Sequence, residues 1–265
     1  MPRDILPEPP DELKQLSTTL SDRIRGEISR EGMIPFSRYM EMALYEPGLG
    51  YYSAGLHKFG EAGDFTTAPE LGSLFAACLS RQVAELADCL GAYDILEVGA
   101  GSGRLAAGLL TSLDPGRLPQ RYRILERSAD LRKVQEELIS SAVPELLPRI
   151  QWLDRPPGAD WNGVLIALEV IDALAVERYE LASGELKQLC VKTREGGFDW
   201  ATRPASPALQ AAVKKLGSEQ VSGFMADRTD GYRSEICLQL TPWLEALTAR
   251  MARGLALFSD YGYPR

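Results

Sequence analysis

Asp94-Ile95-Leu96-Glu97-Val98-Gly99-Ala100-Gly101-Ser102-Gly103 is the most informative part of the sequence, an apolar run that ends in three alternating glycines. The run from Asp94 to Val98 has the length of a buried strand, and Leu105 to Leu113 has the pattern of a helix. Glycine permits the positive φ and the close backbone approach that an abrupt strand-to-helix turn requires. The first N–H groups of the helix then face outward, where a polar ligand can accept them. The stretch therefore predicts a ligand-binding turn.

Strand and helix patterns alternate around this turn. The further predicted strands are Tyr122 to Glu126, Arg149 to Leu153, Gly163 to Leu168 and Leu255 to Ser259, with a helix from Ala129 to Ser141. Strands separated by single helices indicate a parallel sheet with right-handed crossovers. A hairpin of Arg178 to Leu181 with Leu186 to Thr193 follows, and then helical stretches at 207–216 and 241–253. We predict an α/β protein in which residues 91–265 form a Rossmann-like domain, with the hairpin and helices inserted around 178–250.

Residues 1–90 are predicted to be an N-terminal segment of helices and loops that covers the ligand site. Two helices are expected, one with an apolar face from Leu13 to Ile28 and one over residues 35–45. Thr67-Ala68-Pro69-Glu70 has the capping-box pattern and predicts a third helix. That helix is expected to place seven apolar residues along one side: Leu71, Leu74, Phe75, Cys78, Val83, Leu86 and Leu90.

Composition excludes several classes of function. The 29 basic and 37 acidic residues leave a net charge of -8, which argues against binding to nucleic acid or to an anionic membrane. The four cysteines form no CxxC pair and His57 is the only histidine, so we predict no metal site. Dispersed thiols and the absence of a signal peptide, a transit peptide or a membrane-length apolar run indicate a cytoplasmic protein.

The glycine spacing indicates which ligand the turn binds. A dinucleotide fingerprint requires glycine at position 104, where this chain has Arg104; the observed E-x-G-x-G-x-G pattern is typical of class I methyltransferases. Glu126 ends the second strand 23 residues after Gly103, where a carboxylate can accept both ribose hydroxyls of an adenosine. Glu97 adds a negative charge that suits a ligand's ammonium or sulfonium. The alternative interpretation is a tight turn accompanied by two surface glutamates.

A longer motif resembles a known family. Gly60-Glu61-Ala62-Gly63-Asp64-Phe65-Thr66-Thr67-Ala68-Pro69-Glu70 is similar to the G-x-x-G-D-F-x-T-[SA]-P-E motif of the MidA family, and the similarity extends over almost the whole chain from about Leu20. Two further matching motifs are Glu169-Val170-Ile171-Asp172-Ala173-Leu174 and Asp260-Tyr261-Gly262. The resemblance implies a class I fold with S-adenosyl-L-methionine as cofactor. In the mitochondrial members it implies methylation of an arginine on a subunit of respiratory complex I.

The catalytic candidates are Glu169 and Asp172, which follow the fourth strand. The carboxyl ends of such strands border the ligand cleft of open α/β sheets, and in a helical turn residues i and i+3 share one face. Carboxylates can orient the planar cation of an arginine acceptor through paired N–H bonds. In the alternative interpretation, the two acids only charge the first turn of the next helix.

The cofactor-binding candidates form three groups. Gly99, Gly101 and Gly103 form the turn, with Glu97 and Glu126 beside it. Asp64 and Thr67 are expected to close over the cofactor; the alternative is that Asp64 is a turn residue and Thr67 a cap residue. Trp152 and Leu153 are expected where an adenine ring would pack; the alternative is that Trp152 is a core residue.

Two features leave the function open. The MidA pattern has asparagine and proline where this chain has Leu168 and Ala175, which could alter acceptor choice or catalysis. The final hairpin that class I sheets append after their fifth parallel strand is not found before Arg265, so we expect a fragment, a shortened chain, or a chain that needs a partner to cover its edge strand. A homodimer is a separate expectation. The leading prediction is a protein-arginine methyltransferase. The alternatives are a non-catalytic assembly or interaction protein and, disfavoured by Arg104, a nicotinamide-dependent oxidoreductase.

Overall fold

The computed structural model describes residues 8–54, 67–218 and 230–262; Asp64 and His57 lie outside these ranges. The helices are α1 (Asp11–Glu31), α2 (Phe36–Tyr45), α3 (Ser73–Leu90), α4 (Arg104–Ser112), α5 (Ala129–Ala142), α6 (Pro207–Ser218) and α7 (Leu240–Thr248). The strands are β1 (Ile34–Pro35), β2 (Asp94–Val98), β3 (Arg121–Leu125), β4 (Ile150–Leu153), β5 (Trp161–Leu168), β6 (Glu177–Ala182), β7 (Glu185–Arg194), β8 (Gly197–Pro204), β9 (Arg233–Ile236) and β10 (Met251–Ser259).

The chain divides into two compact units, 1–54 with 174–239 and 55–173 with 240–265. This division differs from the predicted one between residues 90 and 91. The reason is that α3 contributes Leu79 and Val83 to the core of the parallel sheet, whereas the hairpin of β6 and β7 pairs with the N-terminal β1. Segments far apart in sequence thus share a unit.

The sheet unit has five parallel strands in the order β10-β5-β2-β3-β4, which confirms the predicted α/β class. The central strand β2 is buried along its whole length, and Ile95 and Leu96 face opposite sides of the sheet. Full burial of one such side chain contributes about 1.5–3 kcal/mol. The strand pattern places the carboxyl ends of all five strands at one edge, where β2 passes into the glycine turn and α4.

The other unit contains a five-stranded antiparallel sheet, with β1-β7-β6-β9 in order and β8 pairing with β7. β8 and β9 were not predicted from the sequence. The predicted helix over 241–253 ends at Thr248, because Met251 pairs with Trp161 and begins β10. Among the described residues, no helix combines the length and hydropathy needed to cross a membrane, and no group of acidic, histidine and cysteine side chains is arranged to hold a metal ion.

The expected apolar face of the third helix is wrong at Leu71, Leu74 and Cys78, which are exposed. It is right at the other four residues, which pack on the core of the parallel sheet: Phe75, Val83, Leu86 and Leu90. Ala68–Leu71 forms a short 3-10 helix, Gly72 interrupts it at φ 147°, and α3 begins only at Ser73. Leu71 therefore lies outside α3, whose fully buried residues are Ala76, Leu79, Ser80, Val83 and Ala87. Leu71 and Leu74 are instead 79% and 76% exposed. An added Cβ at Gly108 of α4 would lie 2.6 Å from Cβ of Ala76, so glycine permits the close approach of the two helices.

Candidate active site

The glycine turn has the backbone conformation expected of it. Gly99, Gly101 and Gly103 have φ values of 66°, 54° and 88°, all in the left-handed region that side chains disfavour. A Cβ at Gly99 would lie 3.1 Å from Cγ2 of Val170, and one at Gly103 would lie 3.2 Å from Cα of Gln135. The glycines therefore both form the turn and allow the neighbouring segments to approach it.

Glu126 follows β3 and is 8% exposed. Its Oε1 accepts the Ser128 N–H at 2.9 Å, and its Oε2 lies 3.3 Å from Nε2 of Gln135. Burial raises the pKa of this carboxyl group, while the hydrogen bonds from Ser128 and Gln135 oppose the rise. The long contact at Oε2 leaves that oxygen able to accept further hydrogen bonds.

Gln135 of α5 is fully buried and connects three parts of the site. Its Nε2 also donates to the Gly101 carbonyl at 3.0 Å, and its Oε1 accepts Nε1 of Trp152 at 3.0 Å. Our sequence analysis missed this residue. The available signal was its position four residues before the buried Ile139, which puts a polar side chain on the inward face of the helix.

Glu97 is 4% exposed, so the interpretation as a surface glutamate is wrong. Its Oε2 accepts the phenolic O–H of Tyr122 at 2.7 Å. Burial raises the pKa of Glu97 to about 7, a rise that the Tyr122 hydrogen bond opposes and the negative charge of Glu126 increases. A cation beside this carboxyl group would favour its ionised form.

Glu70 supports the glycine turn rather than capping a helix. The Ser102 hydroxyl donates to its Oε1, and Nε of Arg104 lies 2.8 Å from its Oε2. The Thr67 side chain makes no capping hydrogen bond, so the capping-box prediction is wrong. Thr67 itself is half-buried just before this 3-10 helix. The C-terminal end of the long sequence motif is thus bonded to the turn.

Arg132 of α5 holds the ends of β3 and β4 together. Its Nε donates to the Glu126 carbonyl at 2.8 Å, and its Nη2 donates to the Leu153 carbonyl at 3.0 Å and to Asp154 at 2.6 Å. Trp152 and Leu153 are both half-buried at the end of β4. The predicted nucleoside-facing residues therefore lie at adjoining strand ends, held by a cation that our sequence analysis missed.

Glu169 and Asp172 lie in a bend and turn rather than in a helix, so both the predicted helical turn and the helix-charging interpretation are wrong. The Glu169 N–H donates to the Ser259 carbonyl at 2.8 Å, and Glu169 has a φ of 51°. Such a conformation is uncommon for a residue with a side chain and is concentrated at functional sites. The end of β10 therefore holds the first catalytic candidate in a strained conformation.

The Asp260-Tyr261-Gly262 motif completes this part of the site. Oδ2 of Asp260 accepts the N–H groups of Ile171 and Asp172 at 2.8 and 3.1 Å. The Tyr261 hydroxyl donates to Oε2 of Glu169 at 3.1 Å. Burial and then the charge of Asp260 raise the pKa of Asp172. Three carboxylates and a phenol therefore gather at the carboxyl ends of β5 and β10.

These residues fit an adenosyl ligand and a cationic acceptor. The left-handed glycine turn at the start of α4 can receive polar ligand groups, and the carboxylate of Glu126 can accept two hydroxyls. The acidic group at β5 and β10 lies along the same edge of the sheet, across from Glu126 with β2 between them. The geometry combines a nucleoside-binding half with an acidic half.

Comparison with known proteins identifies the family. Residues 78–265 match the family model described as "Putative S-adenosyl-L-methionine-dependent methyltransferase". A Drosophila melanogaster protein named "Protein arginine methyltransferase NDUFAF7 homolog, mitochondrial" is 25% identical over 97% of this chain and 64% of its own length. The Bos taurus protein arginine methyltransferase NDUFAF7 is 34% identical over 89% of this chain and 58% of its own length.

A crystal structure of a superfamily member from Burkholderia thailandensis bound to S-adenosyl-homocysteine is 39% identical and superposes with a TM-score of 0.87, over 98% of this chain and 66% of that one. A native structure from the same organism is 38% identical with a TM-score of 0.83, covering 98% of this chain and 65% of the other. The chain thus spans about 58–66% of the length of these relatives. The predicted MidA resemblance is confirmed, and the chain belongs to the S-adenosyl-L-methionine-dependent methyltransferase family that matches residues 78–265.

Proposed function

We propose that this chain binds S-adenosyl-L-methionine and carries a methyltransferase activity directed at arginine side chains of proteins. The observation that carries the proposal is the buried carboxylate of Glu126 next to a turn whose glycines are all left-handed. Family membership and the names of the arginine-methylating relatives support it.

The residues that would hold the cofactor are those of the nucleoside-binding half. Glu126 would accept the ribose hydroxyls, Trp152 and Leu153 would flank the adenine, and the turn from Gly99 to Gly103 would receive the methionine end. Glu97, with its pKa near 7, would take the ionised form beside a cationic group. When bound, S-adenosyl-L-methionine supplies a methyl group carried on a sulfonium.

The acidic half suits an arginine acceptor. A guanidinium is a planar cation whose N–H groups pair with carboxylates, and Glu169 and Asp172 offer two of them on one turn. Methyl transfer needs mainly correct positioning and removal of a proton from the acceptor nitrogen. Because its pKa is raised, Asp172 is a better proton acceptor than an ordinary carboxyl group. Glu169, which accepts the hydroxyl of Tyr261, orients the cation.

A second candidate function is a non-catalytic assembly or interaction protein that retains the cofactor fold. Leu168 favours it, because this half-buried residue ends β5 immediately before Glu169 at the position where the MidA pattern has a polar side chain.

The predictions about partners and location also remain proposals. A complex I subunit as acceptor rests on the resemblance to the mitochondrial members, and the cytoplasmic location and the homodimer rest on the sequence alone.

Transfer of label separates the two functions. The chain is incubated with S-adenosyl-L-methionine carrying an isotopic methyl group and with cell extract, and proteins are analysed for labelled arginine. We expect labelled arginine with the wild-type chain and at most background with the double variant E169Q/D172N. The methyltransferase proposal fails if the wild-type chain binds S-adenosyl-homocysteine in calorimetry but no protein gains label.

A further inference from the structure

One buried amide joins three parts of the nucleoside-binding half: the glycine turn, Glu126 and Trp152. The side chain of Gln135 is 0% exposed, and its amide contacts the Gly101 carbonyl, Oε2 of Glu126 and Nε1 of Trp152. None of the sequence motifs contains it. We propose that Gln135 is a positioning residue that sets the adenosyl end of the cofactor site, holding the glycine turn, the ribose carboxylate and Trp152 in register through a single amide group; this inference rests on the proposed function.

The partners determine which way the amide faces. Trp152 Nε1 can only donate, so it must meet the amide oxygen, at 3.0 Å. The Gly101 carbonyl and an ionised Glu126 can only accept, so both must meet the amide nitrogen, at 3.0 and 3.3 Å. Glutamine has one acceptor and two donor hydrogens in the arrangement required. Neither a carboxylate nor an apolar side chain of the same size can satisfy the three groups.

The backbone of α5 brings the amide to this position. A Cβ at Gly103 would lie 3.2 Å from Cα and 3.4 Å from Cβ of Gln135, so the absence of a side chain at Gly103 lets α5 approach the turn. Arg132, one turn earlier on α5, bonds the carbonyls of Glu126 and Leu153. The helix is thereby fixed against both the turn and the strand ends that Gln135 connects.

Gln135 also affects the charge state of Glu126. Its N–H favours the carboxylate form, which is the form able to accept two ribose hydroxyls. The charged groups near Glu126 are Arg132 from α5, whose charge lowers the pKa of Glu126, and Glu97 from β2, whose own pKa the charge of Glu126 raises. Removing the amide donor raises the pKa of Glu126 further. Cofactor binding is then lost at a higher pH as the solution is acidified.

The test is calorimetric binding of S-adenosyl-homocysteine between pH 5 and 8, with thermal unfolding measured on the same samples. Gln135→Met keeps the length of the side chain but removes its polar atoms. We expect about tenfold weaker binding at pH 8, and we expect the fall in affinity on acidification to begin at a higher pH than in the wild type. Gln135→Glu keeps the acceptor for Trp152 but sets an oxygen against Gly101 and Glu126. Its loss of binding is expected to exceed that of Gln135→Met.

Ile139→Val is the matched control, because Ile139 is equally buried on the same helix and lies in the apolar core. It is expected to lower the unfolding temperature. The affinity, and the pH at which affinity falls on acidification, are expected to stay as in the wild type. If one glutamine variant does not fold, the other carries the test. Folded glutamine variants with wild-type affinity and the wild-type pH dependence of binding would overturn this inference alone. A wild-type chain that does not bind S-adenosyl-homocysteine would overturn the proposed function as well.

Discussion

The hydroxyl of Tyr261 donates to Oε2 of Glu169 at 3.1 Å, a contact between residues 92 positions apart in the chain. Asp260 adds hydrogen bonds to the backbone of the turn that carries Asp172. The acidic half of the site is therefore assembled by β10 as much as by β5. The nucleoside-binding half depends on a separate set of bonds, centred on Gln135, so the two halves can be tested independently.

Tyr261→Phe is expected to lower methyl transfer about tenfold and to leave the affinity for S-adenosyl-homocysteine unchanged, because it removes only the hydroxyl that orients Glu169. Steady-state methylation and calorimetry measure the two quantities. Tyr93→Phe is the matched control, since it removes a hydroxyl bonded to the Arg117 carbonyl within the same unit. Equal losses of turnover in both variants would contradict the orienting role of Tyr261.

Gly101→Val is expected to abolish detectable cofactor binding. Gly101 has a φ of 54°, where a branched side chain costs about 1–3 kcal/mol of strain, and the side chain would occupy the turn that must receive the ligand. Gly116→Val serves as the control, because an added Cβ there meets nothing within 4 Å. A folded Gly101→Val protein with wild-type affinity in calorimetry would show that the ligand does not approach this turn.

Glu126→Ala is expected to weaken S-adenosyl-homocysteine binding by about 1–3 kcal/mol, the range for losing hydrogen bonds to a buried charged group. The comparison variant is Glu145→Ala, which removes an exposed carboxylate from the 3-10 helix before β4. Dissociation constants of the two variants at pH 8 provide the measurement. If both variants bind as tightly as the wild type, Glu126 does not contact the ribose.

Glu97 is expected to make the folded protein less stable as pH rises, whereas a salt-bridged acid makes it more stable. Its folded pKa, about 7, exceeds the ordinary value of 4.5 because of burial, so the folded chain holds this proton while the unfolded chain releases it. The free energy of unfolding therefore falls as pH rises from about 4.5 to 7. The full difference is on the order of 3 kcal/mol.

Glu97→Gln removes this titration. Urea unfolding at pH 5, 6, 7 and 8 is expected to show the variant gaining stability relative to the wild type with each step, and the gain from pH 7 to 8 is expected to be much smaller than the two before it. A constant difference between variant and wild type over the whole range would mean that Glu97 is already ionised at pH 5.

The parts of the fold that sequence could predict are those determined by local pattern. The strand-turn-helix from Asp94 to Ser112 combines a short apolar run with glycines that only a tight turn requires, and its predicted bounds agree with β2 and α4 to within a residue. β8 escaped prediction because its sequence mixes aromatic, charged and proline residues and is stabilised by pairing with β7. The grouping of β1 with β7 likewise depends on a contact between distant segments.

The same distinction applies to the site. Glu97, Glu126 and the glycines stand at positions that a strand-end argument can identify. The roles of Gln135, Asp260 and Tyr261 depend on which side chains the tertiary fold brings together, and helical or strand periodicity does not contain that information. The error at Leu71 has a local cause: Gly72 separates the 3-10 helix that ends at Leu71 from α3, so a helical face cannot be extrapolated back across it.

The proposed function depends on Glu126 and the turn from Gly99 to Gly103 binding an adenosyl ligand. The decisive experiment is a crystal structure of the chain grown with S-adenosyl-homocysteine. The account predicts both ribose hydroxyls within hydrogen-bonding distance of the Glu126 carboxylate and the amino-acid end of the ligand against the glycine turn. Ligand bound at another place, or a Glu126 carboxylate directed away from the ribose, would contradict it.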